Sequence, residues 1–338
     1  MANSLSIAVK ALPGILRYYL GTPTPLIWAN KVTFRCNYRC GFCPIWKMKP
    51  GTELSTAAAK RLVREAAGLG VVFASFEGGE PLLRKDLPGL LSEAKKCGML
   101  TSIITNGALV PQRIDEIAEF TDVITVSLDG KPDTHDLLRG KKGAFKGVQN
   151  ALDAAKGKKP RVFLNCVITA HNKEELGWVA KFAKKNGVMA SFCPVAGFKG
   201  ADDMGLPEGE LKRVAESILQ LKGEGYPIVN SRAYLRALID AKLPRCRTGE
   251  VFLHTDPDGD IVLPCYAWKG EIAKFPGMRG KPLREAWFSK EAADLRKEAV
   301  KCRGCGFIDC VETSLLLSPR LDLFLEMAKV WDGMGAVK

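Results

Sequence analysis

The 338-residue sequence has few histidines (His135, His171 and His254) and no apolar run near the roughly 18 residues that cross a bilayer. None of the three histidines stands in a pattern that marks a proton carrier, and His254 falls where a hairpin should turn. The first stretch, SLSIAVKALPGILRYYL, is broken by Lys10, Pro13 and Arg17 and lacks a small-residue cleavage pattern. The stretch therefore does not read as a secretory signal. What remains is an amphipathic segment (1–26) that packs on the domain or touches a membrane surface, in a cytoplasmic or membrane-peripheral protein. Internal repeats and low-complexity tracts are missing, as is any basic block interleaved with aromatics. A formal charge of +13 thus suits an anionic partner without marking a nucleic-acid surface.

Cysteine, by contrast, is abundant. Of 11 cysteines, eight fall in two regions: Cys36, Cys40 and Cys43 near the start, then Cys246, Cys265, Cys302, Cys305 and Cys310 near the end. Without an export signal, metal or cluster ligation is the better account than disulfides. Cys97 and Cys166 read as packing residues, and Cys193 as a packing or pocket residue.

From residue 27 the chain alternates strand and helix. Apolar β-rich runs occur at 27–34, 71–77, 100–105, 122–128, 161–169 and 188–195, with helical patterns at 55–69, 87–98, 111–120, 144–157 and 173–187. Such alternation implies a parallel α/β sheet, either an open partial (β/α)6 barrel or a doubly wound sheet. Ligands of either fold gather at the C-terminal strand ends. Those ends carry CNYRCGFC (36–43), EGGEP (77–81), TNG (105–107), SLDG (127–130) and CPVAG (193–197). Beyond residue 200 the pattern changes to helices at 206–221 and 231–242, a hairpin around Asp256-Pro257-Asp258-Gly259, and an apolar helix at 321–331.

Three thiolates at Cys-x3-Cys-x2-Cys leave a cluster ligand short. Chance places such a triplet in a chain with this many cysteines roughly one time in a hundred, so the spacing carries weight. Three thiolates can hold three irons of a 4Fe–4S cube, and the fourth iron then keeps an exchangeable position. With Phe42 at its aromatic position, this loop resembles the Cys-x3-Cys-x-aromatic-Cys loop of the radical S-adenosylmethionine (SAM) enzymes. The resemblance implies that SAM supplies the missing ligand through its methionine moiety.

It also implies roles for other residues. Gly78, Gly79 and Glu80 resemble the motif that binds the SAM amino group, and Asn106, Ser127 and Asp129 the loops that meet its ribose and methionyl group. Arg139 sits where relatives place an arginine on the SAM carboxylate, and Phe42 and Val195 would line the adenine. The five late cysteines resemble SPASM and twitch extensions, which carry auxiliary clusters. Five rather than seven cysteines imply one second 4Fe–4S cluster, held by Cys246, Cys265, Cys302 and either Cys305 or Cys310, with Cys305 preferred. The expected organisation is a partial (β/α)6 barrel core (27–200), connecting helices (201–243), a small SPASM/twitch-like auxiliary domain (244–312) and a C-terminal helix (313–338).

The implied partners are SAM, a flavodoxin- or ferredoxin-type low-potential electron donor, and an unassigned substrate. A lipid or isoprenoid fits the amphipathic N-terminus, the basic charge and the apolar C-terminal helix, a small metabolite is equally compatible, and a peptide is the alternative. Two readings of other classes stay open: an iron–sulfur electron carrier or redox sensor, and a zinc-binding module.

Overall fold

The computed structural model describes residues 4–48, 52–195, 204–266, 273–275, 281–299, 301–302, 304–318 and 321–333. The apolar runs become six parallel strands, β1 (Ile27–Thr33), β2 (Phe73–Gly78), β3 (Leu100–Thr105), β4 (Val123–Ser127), β5 (Arg161–Ile168) and β6 (Met189–Pro194). They lie side by side in chain order with no reversal. A doubly wound sheet would reverse at a switch point, so the partial-barrel alternative is the one adopted.

Helices cover the outside of this sheet. After α1 (Ser4–Tyr19), the crossovers are α2 (Thr56–Leu69), α3 (Leu87–Lys96), α4 (Val110–Ile117), α5 (Pro132–Arg139) with α6 (Ala144–Ala155), and α7 (Leu176–Lys185). Ser55 caps α2 by accepting the Ala58 N–H at 3.4 Å, and Gly70 ends it in the left-handed region at φ +114°. Between sheet and helices lies a continuous core that includes Trp28, Phe76, Leu90, Ile103 and Leu164, each fully buried. The segment containing HDLLRG forms α5 and its cap, where the sequence pattern had suggested no helix. It is too short to display apolar periodicity.

The second half continues with α8 (Glu208–Gly223), α9 (Arg232–Ile239) and α10 (Thr248–Val251), followed by strands β7 (Phe252–Thr255), β8 (Ile261–Leu263) and β9 (Ala273–Phe275). Helices α11 (Leu283–Trp287), α12 (Lys290–Ala299), α13 (Ile308–Leu316) and α14 (Leu321–Gly333) complete the chain. The expected hairpin at Asp256–Gly259 is present as antiparallel β7 and β8. Strand β7 does more than form a hairpin, because it pairs in parallel with β1, Trp28 opposite Leu253. One nine-stranded sheet, ordered β6-β5-β4-β3-β2-β1-β7-β8-β9, therefore runs through both halves.

Candidate functional site

The first cysteine loop leaves the C-terminal end of β1 and is held by the end of a helix. Arg39 and Gly41 donate their backbone N–H groups to the carbonyls of Arg139 (3.3 Å) and Leu138 (3.1 Å), the last residues of α5. These are carbonyls that a helix end leaves without intrahelical partners. Gly140 turns the chain there at φ +59°, and a Cβ on it would lie 2.4 Å from the Arg39 carbonyl oxygen. The Trp46 indole N–H closes the other side of the loop on the Cys40 carbonyl at 3.0 Å.

Cys36, Cys40 and Cys43 are free thiols and share a small apolar cluster with Tyr38, Phe42, Leu138 and Val195. Burial pushes the Cys36 thiol up to about 11, with the charges of Glu80, Cys40 and Cys43 adding to the rise and the Tyr38 N–H opposing it. Burial also raises Cys40, against the pull of Arg139. Thiolate is thus unfavourable at Cys36 and Cys40 unless a cationic core neutralises it, which is the condition an iron–sulfur group meets. Among the described residues no three His, Cys, Asp or Glu side chains are drawn in tightly enough to chelate one ion. Three soft sulfur donors suit iron, and in that sense the donor set fits a 4Fe–4S cluster.

Gly78 and Gly79 have a structural reason to be glycine. A Cβ on Gly78 would sit 2.2 Å from the Thr33 carbonyl oxygen, and one on Gly79 would sit 2.2 Å from that of Arg35. This close approach lets Gly79 N–H reach Thr33 O (2.7 Å) and Glu80 N–H reach Arg35 O (2.8 Å), tying the loop after β2 to the base of the cysteine loop. Glu80 is fully buried. Its carboxylate accepts from Leu82 N–H (3.1 Å), Thr105 Oγ1 (2.9 Å) and Asn106 N–H (2.8 Å). Burial outweighs these donors and pushes it up to about 7. Asn106 then reaches across to the cysteine loop, its Nδ2 donating to Asn37 Oδ1 at 2.7 Å.

Asp129 and Arg139, expected to serve SAM separately, are joined in a buried fork. Arg139 donates from Nε to Asp129 Oδ2 (2.5 Å) and from Nη2 to Oδ1 (2.9 Å). Its Nη1 stays 4.0 Å from Cys40 Sγ, and the guanidinium lies 5.1 Å from the Phe42 ring centroid. Asp129 N–H donates to His135 Nδ1 at 3.1 Å, while burial holds His135 down to about 4 and hence neutral. Ser127 is buried at the end of β4, paired with Asn165 of β5. Val195 packs beside Phe42, whereas residues 196–197 of the expected strand-six loop lie outside the described residues.

In the second region, Cys246 and Cys310 are hydrogen-bonded. Cys246 is drawn down by that bond and by Thr248, while Cys310 is pushed up by the same bond and by burial. Cys305 feels the charges of both Cys246 and Cys302. Cys265 follows β8 after the cis Leu263–Pro264 peptide and is half-buried. Residues 267–268, the end of the expected hairpin segment, fall outside the described residues.

A third group at the same strand ends escaped sequence reasoning. Lys31 of β1 bonds Glu77 of β2 at 2.7 Å and lies 4.1 Å from the Tyr266 ring centroid, while the Tyr266 hydroxyl donates to Asp256. His254 belongs to strand β7 and not to a turn, stacked on Phe252 and edge-on to Tyr266. Burial and Lys31 push it down to about 3. Asp309, in the first turn of α13, stands exposed with Glu77 close enough for its charge to act on it. No local motif connects these residues. Period-two placement of Lys31 and Glu77 at strand ends was the one available signal.

Comparison with known proteins agrees with this geometry. Residues 30–183 match the family model described as the Radical SAM superfamily. Among solved structures, SuiB of Streptococcus suis bound to precursor peptide SuiA superposes with a TM-score of 0.69 at 20% identity, over 87% of this chain and 73% of that one. Native anSMEcpe with bound AdoMet gives 0.68 at 18% identity, over 91% and 96%. At such identities the likeness speaks to the fold, and the cysteine loop, the glycine pair and the family match together speak to the chemistry. Residues 30–183 thus carry a Radical SAM domain, and that domain implies an enzyme working with a 4Fe–4S cluster and SAM.

Proposed function

We propose that Cys36, Cys40 and Cys43 hold the SAM-binding 4Fe–4S cluster and that Glu80, Asn106, Ser127 and the Asp129–Arg139 pair shape the SAM site beside it. When bound and reduced, these cofactors supply a 5′-deoxyadenosyl radical that removes a hydrogen atom from substrate. The protein's share is placement. Helix α5 fixes the cysteine loop through its terminal carbonyls, Gly78 and Gly79 bring Glu80 against that loop, and Phe42 with Val195 offers an apolar wall. Glu80 near neutrality suits a site that receives a cationic amine, whose arrival favours the ionised carboxylate. The observation that carries this reading is the gathering of three free thiols against Glu80 and Arg139 at one strand-end rim.

The five later cysteines form an auxiliary 4Fe–4S site in this reading, accepting or relaying electrons, with a flavodoxin- or ferredoxin-type donor outside the chain. The Cys246–Cys310 hydrogen bond supports Cys310 as a ligand beside Cys246, where sequence reasoning had preferred Cys305. The substrate in this reading is a lipid or isoprenoid, or a small metabolite. A peptide substrate is the second reading, supported by similarity to SuiB bound to precursor peptide and to anSMEcpe with Kp18Cys peptide.

Release of 5′-deoxyadenosine from anaerobically reconstituted, reduced protein tests the core assignment. Wild type should form it and Cys40→Ala should not; equal release from both would end the proposal. Stimulation by lipid, metabolite or peptide fractions then ranks the substrates.

A further inference from the structure

Most of the large apolar side chains left in solvent lie on two helices from opposite ends of the chain. Helix α1 carries Leu5, Val9, Leu12, Leu16 and Tyr19, between 51% and 68% exposed and spaced by alternating steps of four and three residues. That spacing makes one stripe along the helix. Helix α14 adds Leu321, Phe324 and Leu325 at 72%, 44% and 50%.

The two helices run antiparallel and are tied at both ends. Ser4 donates from N and Oγ to the two carboxylate oxygens of Asp332 at 2.9 and 2.6 Å, and the Tyr19 hydroxyl donates to the Leu317 carbonyl just ahead of α14. The opposite face of α1 is already used: Gly14 is buried against Leu26, and Ile15 and Tyr18 pack with Val251 and Phe252. The outward stripe is therefore not a core face awaiting another part of the described fold.

Cations border this surface. A groove of about 900 Å³ lies among α9, α13 and α14, floored by Leu315 and Leu323. Arg236, Lys242 and Lys329 stand exposed around it, without an ion-pair partner among the described residues. Asp240, Asp322 and Glu326 also line it, but Glu326 is engaged by Lys222 at 3.3 Å, and with Arg232 the groove keeps more basic than acidic groups.

We propose that α1 and α14 together form a docking face for an anionic phospholipid bilayer. The apolar stripes enter the acyl boundary while the groove's cations meet lipid headgroups. Charge complementarity selects this occupant. A second copy of a chain with formal charge +13 would bring the same cations to the same patch, whereas an anionic surface attracts them. Among the described residues no helix is long and apolar enough to cross the membrane, so the contact lies on its surface. The inference is independent of the substrate and cluster assignments.

Flotation of the full chain with phosphatidylcholine vesicles, with and without phosphatidylglycerol, tests it. Partition should favour the anionic vesicles, weaken in high salt, and fall at least tenfold in Leu12→Glu/Leu16→Glu. Because that double variant could unfold, circular dichroism accompanies it, and Phe324→Ser/Leu325→Ser on the other helix should reduce partition independently. Lack of partition onto anionic vesicles would overturn the proposal, as would unchanged binding in both folded variants. A concentration-dependent dimer in analytical ultracentrifugation that these substitutions dissolve would assign the face to a second copy instead.

Discussion

At the scale of single residues, the Asp129–Arg139 fork is the contact with most at stake. Asp129 is fully buried and Arg139 nearly so, so removing one charge strands the other in a low-dielectric interior. Breaking such a pair from one side costs about 3–5 kcal/mol. Asp129→Asn should lower stability in urea by about that amount, and the double variant Asp129→Leu/Arg139→Met should lose clearly less than the sum of the singles. Additive losses would show that the pair does not act as a unit. Glu80 makes a second prediction. Its folded pKa of about 7 lies above the ordinary 4.5, so the folded state binds the extra proton between those values. The associated stability is full below the ordinary value and is lost as pH rises through about 7. Between pH 5 and 8 this share of the loss is about 2–3 kcal/mol, and Glu80→Gln should remove it in urea unfolding of the cluster-free protein, leaving the slope due to Glu312, which burial also pushes up to about 7. A slope unchanged in the variant would place the titrating group elsewhere. The residues of the cysteine loop and GGEP stretch were legible because their spacing is local. The pairing of Asp129 with Arg139 was not, because it depends on where α5 returns the chain.

At the scale of elements, the six strands and most helices were readable from periodicity, with β3 expected at 100–105 and observed there. What periodicity missed is the job of α5 and of the glycine that caps it. Gly79 and Gly140 each let a backbone pass within touching distance of the cysteine loop, so both act on loop position before any ligand arrives. Alanine at either place forces backbone apart, at about 1–3 kcal/mol, and should reduce iron per chain after reconstitution. Gly143 supplies the control: like Gly140 it has positive φ, but nothing lies within 4 Å of its added Cβ. Gly143→Ala should cost about 1–2 kcal/mol of backbone strain and leave iron uptake intact. Equal iron loss in all three variants would reduce the effect to general instability.

At the scale of the whole molecule, composition pointed to a core domain followed by an appendage, and the pattern change near residue 200 supports that division as a reading of sequence. The sheet complicates it, because β1 has β2 on one side and β7 on the other. The first strand of the proposed core is thus interior only when the later segment is present. Fully buried Trp28 donates its indole N–H to Thr255 of β7 at 2.8 Å, and Trp287 of α11 donates to the Pro23 carbonyl at 3.0 Å. Leu283 N–H also reaches Glu65 of α2 at 2.7 Å, binding α11 to the first crossover helix. Such long-range pairing leaves no local trace in sequence, since the partners are more than 200 residues apart. A chain ending at residue 243 would expose the β1 edge and uncover Trp28, each large apolar side chain so exposed costing about 1.5–3 kcal/mol. An open, apolar strand edge is also a template for aggregation. The shortened chain should therefore sediment as aggregate or lack a cooperative melt, while the full chain unfolds in one transition. A soluble monomer with a sharp melt would instead establish residues 1–243 as a self-sufficient folding unit, with β7 added to an edge that does not need it.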